Sequence, residues 1–232
     1  MITLFSYPQM WGLLDNNPYG LKVHAFLRLV NLNYQTHYTI DTEQAPRRKL
    51  PYLIDEHKKI GDSNYIIDYL TTKYQLKIDS DLSPSQRIFE LLIKRTLEEH
   101  LYWVMSYSRW QDAENFPLFR EQFLKGYPKA TSEDLERFQE ANIQKYYAQG
   151  IGRYEPFEVY QAGIKDLEMI STLLEKKEFM FGSNPHGIDA CIYGFLANIY
   201  YFQIDTPLRK FVLESKNLPQ YCERFHQHIQ AV

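Results

Sequence analysis

The chain has 232 residues, 44% of them apolar and 24% charged, with a formal net charge of -3. This composition suits a globular protein with a real hydrophobic core. The slight negative charge speaks against polyanion binding, so no nucleic-acid partner is expected, and no stretch approaches the roughly 18 uncharged apolar residues of a membrane span.

The chain opens MITLFSYPQMWG, which lacks the basic leader and long apolar run of a secretory signal. Residues 2–5 read as a strand. A loop over 7–20 follows, rich in the turn formers Pro8, Gly12, Asn16, Asn17 and Pro18. Val23, Phe26, Leu27 and Val30 then repeat at helical spacing, with Pro18 suited to the first turn and Asn17 to the N-cap. Residues 34–40 read as a second strand, 50–55 as a third and 58–60 as a fourth. Asp62 and Ser63 open a helix carrying Ile66, Ile67 and Leu70. The order β-α-β-loop-β-β-α within residues 1–76 is a complete small α/β unit.

The polar stretch 77–83 reads as a linker, and from Pro84 to residue 232 only helices are expected. The first is one long helix over 84–110, followed by helices at 116–127, 132–149, 156–176, 186–203 and 217–229. In the 186–203 segment, Ile188, Cys191, Ile192, Phe195, Leu196 and Ile199 follow the helical period with almost no charge, which places that helix at the centre of its domain. The two cysteines, Cys191 and Cys222, are far apart and form no CxxC pair, so reducing, cytoplasmic surroundings are the simple expectation. The histidines are scattered without metal-ligand spacing, and no metal site is expected.

Leu50-Pro51 before a strand and Asp62-Ser63 at a helix start resemble the N-terminal domain of the glutathione transferase superfamily. The resemblance spans the whole chain. NPYGLK (17–22), EEHLYWVMSYSRW (98–110) and FMFGSNPHGIDACIYGFLANI (179–199) resemble in particular the branch containing the failed-axon-connections and metaxin-like proteins. The resemblance implies a thioredoxin-like α/β domain followed by an all-α domain, glutathione as co-substrate, and a homodimer.

It also implies roles for residues. Pro51 would be cis, presenting the backbone of Leu50 to the cysteinyl part of glutathione as a short added strand. Asp62 and Ser63 would hold the γ-glutamyl end at the helix start, where simple capping is the competing account. Lys49 would reach the glycyl carboxylate or remain a surface lysine. The catalytic serine or cysteine of relatives falls on Asn17, and a second redox cysteine on Gly20. Asn17 has no hydroxyl or thiol, but its amide can donate a hydrogen bond to a thiolate, or it can merely cap the helix. Tyr7 is the alternative donor. Trp11, Tyr102, Trp103, Ser106 and Tyr107, with Arg109 nearby, would line an inter-domain pocket for a hydrophobic electrophile. Asp189 is expected to be structural, with His186 a weaker cap than the usual Ser or Thr.

Three functions compete. One is conjugation of glutathione to a hydrophobic electrophile. The second is a non-catalytic adaptor or binding protein of the same fold. The third, thiol reduction, is opposed by Asn17 and Gly20.

Overall fold

The computed structural model describes residues 1–230; residues 231 and 232, the end of the expected helical domain, lie outside the described residues. Strands β1 (Ile2–Ser6), β2 (Tyr34–Tyr38), β3 (Tyr52–Asp55) and β4 (Lys58–Gly61) form one sheet in the order β2-β1-β3-β4. β1 runs parallel to β2, and β3 is antiparallel to both β1 and β4. Helix α1 (Pro18–Leu29) makes the crossover from β1 to β2, as a parallel pair requires, and α2 (Ser63–Lys73) follows β4. Leu4, Phe26, Leu27, Leu53, Ile66 and Leu70 have no exposed surface and bind sheet to helices. Each such side chain contributes about 1.5–3 kcal/mol by leaving water. Among the described residues, no named strand follows this thioredoxin-like unit, and the rest of the elements are helices.

Those helices are α3 (Pro84–Arg95), α4 (Tyr102–Trp110), α5 (Phe116–Gly126), α6 (Ser132–Gln149), α7 (Pro156–Leu174), α8 (Gly187–Tyr200), α9 (Pro207–Glu214) and α10 (Leu218–Gln230). The start of α3 is fixed by Ser83, whose hydroxyl accepts from the Gln86 N–H while the Gln86 side chain accepts from the Ser83 N–H. The expected single helix over 84–110 is interrupted by a π turn at Thr96–Leu101. The short helix α9 was not expected from the sequence.

Every residue of α8 from Gly187 to Ile199 is buried, as its uncharged sequence requires. Its start is held by Asp189, whose carboxylate accepts from the N–H of Met180 and of His186, both at 2.8 Å, and from the Tyr221 hydroxyl at 2.7 Å. Among the described residues the His186 ring returns no cap, and its buried Nδ1 has no partner. The two domains meet where α1 packs on α8. Among the described residues no helix is long and apolar enough to cross a membrane.

Candidate active site

The β1–α1 loop is built around a buried carboxyl group. Asp15, with no exposed surface, accepts from the Tyr7 N–H at 3.1 Å and from the Asn17 N–H at 2.6 Å, and is hydrogen-bonded to the Ser6 hydroxyl. His24 Nε2 lies 3.0 Å from Ser6 Oγ, and its Nδ1 lies 2.8 Å from the Tyr34 hydroxyl. A neutral imidazole donates at one of these two nitrogens and accepts at the other, so both of its ring nitrogens are satisfied. Burial pushes the Asp15 carboxyl up to about 8 and the His24 imidazole down to about 3. Arg109 on α4 pins the same loop. Its guanidinium donates to the Asn16 carbonyl at 2.5 Å and to the Asn198 carbonyl at 2.7 Å, and it lies over the rings of Trp11 and Phe202. Sequence reasoning passed over Asp15 and His24, because a lone Asp in a turn and a lone His in a helix carry no signal of meeting.

This scaffold places Asn17 as the cap of α1. Its side-chain oxygen accepts from the Tyr19 N–H at 3.0 Å, while among the described residues its amide NH2 has no acceptor. The capping account of Asn17 is therefore observed, and a donor group is left over. Tyr7 packs beside Ala45, Leu50 and Tyr52. Burial, with Tyr102 and Asp15 adding to it, holds its hydroxyl protonated well above the usual tyrosine range, so Tyr7 is a hydrogen-bond donor and not a base.

Leu50-Pro51 is a cis peptide at the entry to β3, and Leu50 lies outside the ladder pairs of that strand. Asp62 adopts φ 81, a left-handed value unusual for a residue with a Cβ. It caps α2, its Oδ1 accepting from the N–H of Asn64 at 2.9 Å and of Tyr65 at 3.4 Å. Its other oxygen is 3.9 Å from the Arg47 guanidinium. Ser63 is almost covered, and its hydroxyl lies 3.3 Å from the Lys22 ammonium. Lys49 is exposed.

The expected pocket residues divide. Tyr102 and Trp103 are half-buried, with Tyr102 against the Tyr19 ring and Trp103 edge-on to Tyr146. Ser106 and Tyr107 turn into the helical domain. Ser106 is buried and bonded to the Tyr146 hydroxyl at 2.6 Å, and Tyr107 is 3% exposed in the helical core. All four lie on α4, after the π turn, and it is the packing of α4 against α6 and α7 that covers Ser106 and Tyr107. Trp11 turns toward α5, its indole N–H donating to Gln122 at 2.5 Å. It lines a surface cleft of about 460 Å³ with Gln9, Met10, Lys125 and Gln203, and no other expected site residue reaches that cleft.

A family model described as the glutathione S-transferase N-terminal domain matches residues 18–115, and one for the C-terminal domain matches residues 163–225. The chain is 33% identical to the isoprene-epoxide–glutathione S-transferase of Rhodococcus sp. (strain AD45), over 98% of each chain. It is 29% identical to Failed axon connections of Drosophila melanogaster, over 92% of this chain and 54% of that protein. It is 26% identical to Metaxin-1 of Bos taurus, over 94% of this chain and 72% of that one. Among solved structures, the beta-etherase LigF from Sphingobium sp. strain SYK-6 shares the fold with a TM-score of 0.68 at 13% identity, over 100% of this chain and 99% of that one. The chain belongs to the glutathione S-transferase family, and its likeness extends to the metaxin-like branch.

Proposed function

We propose that the protein binds reduced glutathione and conjugates its thiolate to a small hydrophobic electrophile. The full-length likeness to the Rhodococcus epoxide transferase carries this reading and suggests an epoxide as the electrophile class. In that reaction a sulfur–carbon bond forms, a carbon–oxygen bond of the epoxide breaks, and the oxygen takes up a proton. The protein's work is to favour the thiolate and to hold both reactants in place. Asn17 would donate its free amide to the sulfur, with Tyr7 the alternative donor. Leu50 and Pro51 would align the cysteinyl backbone, Asp62 and Ser63 the γ-glutamyl end, and Lys49 the glycyl carboxylate. Tyr102 and Trp103 would face the electrophile, whereas Trp11 lines the separate cleft against α5. Cys191 and Cys222 are fully buried and burial pushes both thiols up, which opposes the reductase reading.

The same proposal includes a cytoplasmic homodimer. Ile88, Phe89, Leu91 and Leu92 are all exposed on one face of α3, an apolar patch suited to a second copy. Sedimentation analysis of the wild type and of Leu92→Glu tests it, with a dimer expected to become a monomer.

The adaptor reading keeps one specific support, the absence of a hydroxyl or thiol at Asn17 together with the likeness to Metaxin-1. Calorimetric titration with reduced glutathione, repeated on Ser63→Ala, separates the two. Saturable binding weakened by the substitution, with turnover of a small epoxide, supports the transferase. No heat and no thermal protection by glutathione favours the adaptor.

A further inference from the structure

The final residue of the NPYGLK segment, Lys22, has no evident place in the site as described so far, yet it is one of the most constrained side chains in the molecule. It lies on α1 with no exposed surface. Burying an ammonium is costly unless its charge and its three donors are all matched. Here they are. Nζ lies 2.5 Å from Glu98 Oε1, 2.6 Å from Asn64 Oδ1 and 3.3 Å from Ser63 Oγ. Asn64 closes the ring by donating its amide to Glu98 Oε2 at 2.7 Å.

Two features of the helical domain bring this about. Glu98 sits inside the π turn, a local geometry that recurs at functional positions, and its backbone carbonyl accepts from the Tyr19 hydroxyl at 2.6 Å. Gly194 on α8 lets the backbone of α1 come close. A Cβ there would stand 2.6 Å from the Pro18 carbonyl oxygen and 3.0 Å from the Lys22 nitrogen.

The consequence falls on Ser63. An ammonium only donates, so the Ser63 oxygen must accept from Lys22, and its own proton points elsewhere. Among the described residues no acceptor takes that proton. The first turn of α2 shows the same pattern. Asp62 satisfies the N–H groups of Asn64 and Tyr65, and among the described residues the Ser63 N–H is the one left over. Ser63 is 3% exposed, so only its outer edge can meet a ligand. Its hydroxyl and its N–H are thus two donors from one residue, at a helix N-terminus with a cation behind it.

We propose that Lys22 is a positioning residue of the ligand site: held by Glu98 and Asn64, it fixes the Ser63 hydroxyl as an outward donor to the α-carboxylate of a γ-glutamyl ligand. This rests on the glutathione-binding reading above, and it makes the helical domain, through Glu98, a part of the carboxylate site.

The test compares two probes by calorimetry: reduced glutathione, and γ-aminobutyryl-cysteinyl-glycine, the same peptide without the α-carboxylate. Lys22→Met/Glu98→Gln removes both charges together, so neither is left buried alone. It should weaken glutathione about tenfold and leave the analogue unchanged. In a Ser63→Ala background it should cause no further loss, because Lys22 acts through Ser63. Glu98→Gln alone leaves the cation less balanced and should tighten glutathione without affecting the analogue, which decides the matter if the double variant does not fold. Equal weakening of both probes, additive losses with Ser63→Ala, or unchanged glutathione affinity in both variants would overturn the role of Lys22 while leaving the binding reading intact. Absence of glutathione binding by the wild type would overturn both.

Discussion

The Asp15 carboxyl group occupies the space that any side chain at position 20 would need: a Cβ on Gly20 would stand 1.7 Å from Asp15 Oδ2. Asp15 thereby supplies a steric reason for glycine at position 20. The buried acid and the glycine are one feature. Gly20→Ala should destabilise the protein by about 1–3 kcal/mol through overpacking, because Asp15 cannot move without losing the Tyr7 and Asn17 N–H groups. Urea denaturation checks this. Adding Asp15→Ala to Gly20→Ala should cost less than the sum of the two single changes.

The stability of the fold should depend on pH through the same cluster. Asp15 is raised from 3.8 to about 8, so the native state keeps a proton that the unfolded chain releases, and stability falls as pH rises across that interval. His24 is lowered from 6.5 to about 3, so the unfolded chain takes up a proton that the native state refuses, and stability rises with pH across that interval. The two slopes oppose each other between 3.8 and 6.5, and above 6.5 only the fall due to Asp15 remains. One group gives a slope of up to about 1.4 kcal/mol per pH unit. Denaturation midpoints from pH 6.5 to 8 should fall for the wild type, and Asp15→Asn should remove that fall. A wild-type profile that stays flat over this range would contradict the assignment.

Asn17 offers a separation of capping from chemistry. Asn17→Asp retains an oxygen for the Tyr19 N–H and should hold stability within about 0.5 kcal/mol. It replaces the donor NH2 with an acceptor carboxylate. If Asn17 faces the sulfur, the thiol pKa of bound glutathione should rise, which ultraviolet titration of the thiolate detects. An unchanged thiol pKa would assign Asn17 to capping alone and move attention to Tyr7→Phe.

Gly194→Ala tests the inter-domain contact. The added methyl meets backbone of α1 at Pro18 and Lys22, and backbone has no rotamer with which to yield. The expected cost is about 1–3 kcal/mol. Because the displaced helix carries both Lys22 and the Asn17 cap, glutathione affinity should fall with stability.

Local chemistry made much of this protein readable from its sequence. Asn17 before Pro18, Asp62 before Ser63 and Ser83 before Pro84 mark helix starts through hydrogen bonds that close within a few residues, so the order of elements follows from short stretches of chain. The uncharged period of α8 required burial wherever that helix was placed. The family motifs lie in the same local segments. What the sequence did not determine depends on partners far apart along the chain. Lys22 meets Glu98, Ser6 joins Asp15 to His24, and Arg109 reaches Asn16, and in each case the charge looks solvated until packing removes the water. Ser106 and Tyr107 are covered by Tyr146 and Tyr160, from helices some 40 and 53 residues further along the chain, which a helical period within α4 does not register. Hydrogen bonds within one turn are encoded locally; the pairing of buried charges is settled only when two domains close over them.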